Sequence, residues 1–226
     1  MKPHATRPIP LGLTALIAFF SALAALAVSN GHTAHAHGTA GNATAVTQKE
    51  FALHTGMRVL WEDHVTWTRL AVISLVAGTP DTEATVARLL QNQTDIGNAI
   101  KPFYGKAAGN ALTGELRKHI LIAADLIAAA KAGDQAKVAA EQARWRANAD
   151  DIASLLSKAN PQHWKRGELR AMLNEHLRLT TQEVVARLQG KWAADVAAYD
   201  RIHQHALGMA DALSNGIVDQ FPRRFR

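Results

Sequence analysis

Residues 60–69 read LWEDHVTWTR, and the reading of His64 at their centre decides the fold. Upstream lie Leu53, Met57 and Leu60; downstream lie Ala71 and Leu75. The steps between these apolar positions are three, four or seven residues, which is the stripe of one helix face. His64 falls inside that stripe. The segment is therefore a helix, spanning about residues 49–77, with an imidazole on its buried side.

Working outward, the same figure recurs. His64 is followed by Gly78 at +14 and, a further 14 residues on, by Asn92. His119 is followed by Gly133 at +14 and Asn148 at +29. His176 is followed by Gly190 at +14 and His205 at +29. A repeat of about 56 residues marks repeated supersecondary units. The expected fold is all-α, an up-down helical bundle built of three repeated antiparallel helical hairpins.

The boundaries agree. Gly78-Thr79-Pro80-Asp81 ends one helix and starts another, with Thr79 as cap and Pro80 at the first helical position. The second helix runs to about residue 100, and residues 101–105 (KPFYG) read as a loop. A third helix covers about residues 108–132 with Leu112, Leu116, His119, Ala123 and Ile127 on one face. Asp134 suits the cap of a fourth helix, carrying Trp145, Asn148, Ile152 and Leu155, which Asn160-Pro161 ends. The fifth helix, about 166–189, bears Leu169, Leu173, His176, Thr180 and Val184. The sixth bears Tyr199, Ile202, His205 and Met209 and ends near Asn215-Gly216. The tail, residues 217–226, contains Phe221 and Phe225, which are expected to dock on the bundle domain of residues 49–216.

At about 1.5 Å of rise per residue, 14 residues place each histidine about 21 Å from its turn. The return helix brings its partner back to the same level. His64, Asn92, His119, Asn148, His176 and His205 are thus expected in one layer. Buried polar groups cost roughly 1–3 kcal/mol each when unpaired, so such a layer pairs internally or binds something. Two readings follow. Neutral imidazoles of His64, His119, His176 and His205 can converge on a transition metal: Cu, Zn, Ni and Fe all accept them. Asn92 and Asn148 would then fix the tautomers, and Asp95, Asp151 or His203 could complete the site. Alternatively the His and Asn side chains, with Thr68 and Thr180, form a hydrogen-bond network that sets helix register. Trp61, Trp67 and Trp145 flank the layer as pocket walls or core filling.

Composition narrows the classes. There is no cysteine, hence no disulfide, thiolate site or covalent haem attachment. A haem would be non-covalent, held between two facing histidines. No H-E-x-x-H motif, G-x-S-x-G elbow or Gly-rich phosphate loop occurs. With no catalytic set, a non-enzymatic role is expected. The formal charge is +6, but Lys2, Arg7, Arg223, Arg224 and Arg226 account for five of those charges. No basic face remains for nucleic acid. Residues 1–36, with a basic start and an apolar run from Leu11 to Val28, read as a secretory signal peptide or an N-terminal membrane anchor. Small-residue cleavage patterns follow at Ala25-Leu26-Ala27 and Ala34-His35-Ala36. Residues 37–48 read as a flexible linker. An exported protein, periplasmic, secreted or anchored on the outer side of the membrane, is expected. Contact with a membrane is expected only through the N-terminal segment.

Residues 60–69 (LWEDHVTWTR), 91–105 (QNQTDIGNAIKPFYG), 176–188 (HLRLTTQEVVARL) and the ending Gln220-Phe221-Pro222 resemble a family of exported bacterial all-helical proteins. Its members often carry automatic labels of glycosyltransferase or acetylglutamate kinase. Those activities need α/β sheets for nucleotide binding, and no segment here alternates as a strand. The resemblance implies export and a helical build.

Overall fold

The computed structural model describes residues 46–226; the expected signal segment and most of the expected linker lie outside the described residues. Five α-helices follow one another: α1 Gln48–Ala77, α2 Thr82–Ala132, α3 Gln135–Ala159, α4 Arg166–Leu188 and α5 Trp192–Gln220. A short 3-10 turn, Pro222–Arg224, closes the chain. Among the described residues there is no strand. None of these helices is long and apolar enough to cross a membrane.

Local chemistry sets the ends. A capping box starts α1: the Thr47 side chain accepts from the Glu50 N–H, and the Glu50 carboxylate accepts from the Thr47 N–H. Gly78, Gly133 and Gly190 turn the chain with φ of 69°, 75° and 68°. Asp134 caps α3, accepting from the Lys137 N–H at 3.0 Å. The start of α2 differs from the expectation. Asp81, not Thr79, occupies the cap position, and its carboxylate is held by the Thr79 and Ser74 hydroxyls rather than by the helix's own N–H groups.

The expected loop at 101–105 is also corrected. The helix continues through Pro102 to residue 104 and then turns at one residue, Gly105, with φ 83° and ψ 168°. Only glycine enters that region without strain, so no longer connection is needed. The two arms, residues 82–104 and 106–132, fold back on each other. A Cβ on Gly97 or on Gly109 would lie 2.6 Å from the other's carbonyl oxygen. On one straight helix those two residues would be about 18 Å apart.

Helix α1 packs against α2 and α5, α2 against α3, α3 against α4, and α4 against α5. The result is a helical bundle with one main core, to which Met57, Trp61, Ile96, Leu112, Ile152 and Leu173 contribute. Each such side chain contributes roughly 1.5–3 kcal/mol through its burial. At one end, Lys131 donates to the Leu75 carbonyl at 3.1 Å and lies against Gly78, so the Gly78 and Gly133 turns adjoin. At another, Asn160 donates to the Gly216 carbonyl at 2.7 Å and to the Tyr104 hydroxyl at 3.3 Å.

Helix α5 runs past the expected stop at Asn215-Gly216. Gly216 serves as a notch rather than a breaker: a Cβ there would sit 2.0 Å from Trp164 Nε1. The tail docks as expected. Phe225 is buried and stacks on Phe103 at 5.9 Å, while Arg224 donates to the Pro102 carbonyl at 2.7 Å. Lys49, in the first turn of α1, donates to the carbonyl of Arg226 at 2.7 Å.

Candidate histidine layer

Four helical segments bring four imidazoles together: His64 from α1, His119 from the second arm of α2, His176 from α4 and His205 from α5. His176 is the hub. Its ring centroid lies 5.8 Å from that of His64, 6.3 Å from that of His119 and 6.2 Å from that of His205. His64, His119 and His176 are each about 5% exposed. Trp61 meets His64 edge-on at 5.4 Å, and Trp145 lies against His119 at 5.2 Å. Trp67 stands apart, under the Arg88 guanidinium in a smaller apolar cluster.

The hydrogen bonds differ from ring to ring. Asn148 donates its amide N–H groups to the carboxylate of Glu115 at 2.7 Å and the carbonyl of Glu115 at 3.2 Å. Its Oδ1 therefore accepts from His119 Nδ1 at 2.8 Å. That fixes His119 as the Nδ1–H tautomer and leaves a lone pair on Nε2. Gln93 donates to the Leu89 carbonyl at 2.9 Å and reaches His64 Nδ1 at 3.2 Å. The same Gln93 amide nitrogen also lies 3.0 Å from the Asn92 Oδ1. His205 Nε2 donates to the Met172 carbonyl at 3.0 Å. His176 Nδ1 is buried without a hydrogen-bond partner.

Burial keeps the rings uncharged. It pushes the pKa of His64 and of His119 down to about 4. The nearby His119 adds to the shift at His64, and the amides of Asn92 and Asn148 oppose it. His176 lies well below the ordinary value, through burial and then through its three histidine neighbours. The rings of His64, His119 and His176 line a cavity of about 40 Å³ together with Thr68, Trp145 and Thr180. That volume exceeds the roughly 10–15 Å³ one water needs. The Thr180 hydroxyl is spent on the His176 carbonyl at 2.9 Å, while the Thr68 hydroxyl has no partner.

Not every expected member belongs here. Asn92 is fully buried; its amide N–H donates to the Leu60 carbonyl at 2.9 Å, its oxygen accepts from Gln93 at 3.0 Å, and its side chain also reaches His64. Asp95 accepts from Gln91 at 3.0 Å, and Asp151 is largely exposed and faces Lys118 at 3.6 Å. His203 points away and pairs with Glu62 at 2.7 Å. These three lie off the layer because they sit around the helix from its apolar stripe. Among the described residues, no three His, Asp or Glu side chains form a ready-made metal cage.

Two features escape the sequence reading. Gln93 is the ring partner in the first hairpin, and the +29 spacing seen at Asn148 and His205 lands on it. The second is a buried ionic cluster. Arg69 donates to Glu183 at 2.7 Å and forks onto Asp195; Arg187 adds a bond to Asp195 at 3.0 Å. Glu183 and Asp195 are each 1% exposed. No signal in the sequence marks the two carboxylates as buried or the two arginines as their partners.

Protein-family models, curated proteins and solved structures all give no match to this chain.

Proposed function

We propose that this is an exported bundle of three repeated up-down helical hairpins that binds a transition metal ion through its histidine layer. The observation that carries the reading is the grouping of three imidazoles about His176 beside a small cavity. A metal–imidazole bond of roughly 2.0–2.1 Å puts an ion about 3.2 Å from a ring centroid. Two rings sharing an ion then have centroids no more than about 6.4 Å apart. The separations of 5.8–6.3 Å fall within that span. His64, His119 and His176 stay neutral at physiological pH, as ligands must. His119 offers Nε2, oriented by the Glu115–Asn148 relay in the way an outer carboxylate orients a ligand. His176 offers Nδ1, the atom left without a partner. His64 is the third ring beside the cavity. His205 could ligate only through Nδ1. When bound, such an ion would supply redox or Lewis-acid chemistry; a non-covalent haem is the bulkier alternative, and a 40 Å³ cavity disfavours it.

The repeat is supported by a shared clamp. Asn92, Asn148 and His205 each donate to the carbonyl four residues before their hairpin's histidine: Leu60, Glu115 and Met172. The same clamps favour a second reading, in which the layer is a register-setting network of a structural or interaction protein in the cell envelope.

Elemental analysis of the full chain, purified without an affinity tag, separates the two. About one transition metal per chain, lost in His119→Ala with helicity kept, is the expected result. No metal, and none taken up from dilute Zn or Cu, would leave the network.

A further inference from the structure

The end of the bundle where α1 begins gathers several passages of the chain. Tyr104, the residue before the α2 kink, accepts from Asn160 at 3.3 Å and donates to Gln220 at 2.7 Å, and its ring lies 5.3 Å from that of Trp164. The tail crosses the same end: Phe225 stacks on Phe103, and Lys49 donates to the Arg226 carbonyl at 2.7 Å. Counted along the sequence, the tail arginines belong to no face. Docked, Arg223, Arg224 and Arg226 join Lys106 beside the kink and Lys158 and Lys165 at the α3–α4 connection, all of them exposed. Among the described residues none of these six forms an ion pair. The sides of the bundle are the reverse: Arg58, Arg88, Arg170 and Arg178 meet the carboxylates of Asp211, Asp63, Asp150 and Glu175. Carboxylates at the basic end are few. Glu50 is spent on the capping box, Asp219 faces His163 at 3.9 Å, and Glu168 opens α4.

Unpaired charge of one sign on a fixed surface attracts a partner of the other sign. Two observations favour lipid over another polyanion. Val46 and Phe51 stand 69% and 67% exposed at this end, and a headgroup layer accepts such apolar side chains. The described chain also starts here, so the apolar run Leu11–Val28 lies upstream of this end. We infer that this end of the bundle is a docking surface for anionic phospholipid headgroups. It stands about 21 Å from the histidine layer, the rise of the 14 residues from Gly105 to His119, and is independent of any metal there.

The test uses the full chain with a single cysteine, since the protein has none of its own. Gln162→Cys at the basic end, or Ala136→Cys beside the Gly133 turn, carries a fluorescent dye. Vesicles of mixed phosphatidylcholine and phosphatidylglycerol should shield the dye at Gln162→Cys from acrylamide and leave that at Ala136→Cys open. High salt should undo the shielding. The variant Lys106→Gln/Arg223→Gln/Arg226→Gln removes three exposed charges, each worth about fivefold in affinity near an anionic surface. The vesicle concentration that half-shields the dye should rise at least tenfold, with helicity kept. Equal shielding by pure phosphatidylcholine, or a triple variant that behaves as the parent, would overturn the docking surface. Shielding by a short DNA duplex with none by vesicles would overturn it too and assign the end to nucleic acid. His119→Ala should leave the shielding unchanged, so failure of the metal reading and failure of this one are read separately.

Discussion

At the Arg69 cluster two guanidiniums face two carboxylates; at the His176 layer four imidazoles face one another. Among the described residues no carboxylate bonds directly to His64, His119 or His176. The first group is closed: every charge has an opposite neighbour, and Arg69 is held by a fork onto Asp195 and a further bond to Glu183. The second group is open: the Nδ1 of His176 and the hydroxyl of Thr68, two residues that line its cavity, are buried without partners. Both clusters lie inside one bundle, so burial alone does not separate them. A structural cluster has no reason to leave donors and acceptors unspent beside a cavity, whereas a binding site has. That difference is why the functional reading is attached to the histidines and not to the more strongly charged group.

The sharpest way to break the comparison is to remove the common partner of the ionic cluster. Arg69→Met leaves Glu183 and Asp195 buried together, and stability should fall by about 3–5 kcal/mol in urea unfolding. A loss under about 1 kcal/mol would mean the cluster is not closed in solution. Acid should act on the other region. Folded His64 and His119 titrate near 4, and the unfolded rings near the ordinary value of about 6.5. The unfolded chain therefore binds more protons between those limits. Stability is complete above about pH 6.5 and is lost as pH falls toward 4, by roughly 3 kcal/mol per ring. Urea midpoints measured from pH 7 down to 4.5 should decline, and His119→Gln should flatten the decline. A midpoint that holds steady over that range would contradict buried neutral rings.

Smaller effects test the clamps. Asn148→Ala strips the partner from His119 and the bond to the Glu115 carbonyl, at a cost of about 1–3 kcal/mol. His205→Asn gives the third hairpin the residue type the other two carry and should cost under about 1 kcal/mol if an amide reaches the Met172 carbonyl equally well. A loss above about 2 kcal/mol would show that the third clamp needs the ring.

Much of the helix pattern was legible because it rests on local chemistry. Asp134 caps where a cap was expected, and the three turn glycines take left-handed φ. His64, His119 and His176 are buried because each sits on a 3.6-residue apolar stripe. What could not be read is what depends on distant pairing. Arg69 lies 114 residues from Glu183 and 126 from Asp195, and a charged residue on a helix reads the same whether it meets solvent or a buried partner. The Pro-Phe-Tyr-Gly run reads as a loop because Pro and Gly mark loops, yet one glycine reverses the chain and the helix reaches up to it. Gln93 was passed over for Asn92 next to it, although the spacing of the other hairpins counts to Gln93. The two share the task that Asn148 performs alone: Asn92 holds the carbonyl, and both side chains reach the ring.

The bond from Lys49 to the carbonyl of Arg226 brings the first turn of α1 against the far end of the chain. With α1 also packed on α5, the path of the described backbone, residues 46–226, is a loop lacking one short splice. Joining residue 46 to Arg226, with residues 1–45 removed, and opening the chain at the Gly133 or Gly190 turn should give a circular permutant that folds to the same bundle, since such openings fall in tight surface connections. The order in which the hairpins are written along the gene would then be a matter of history, not of architecture.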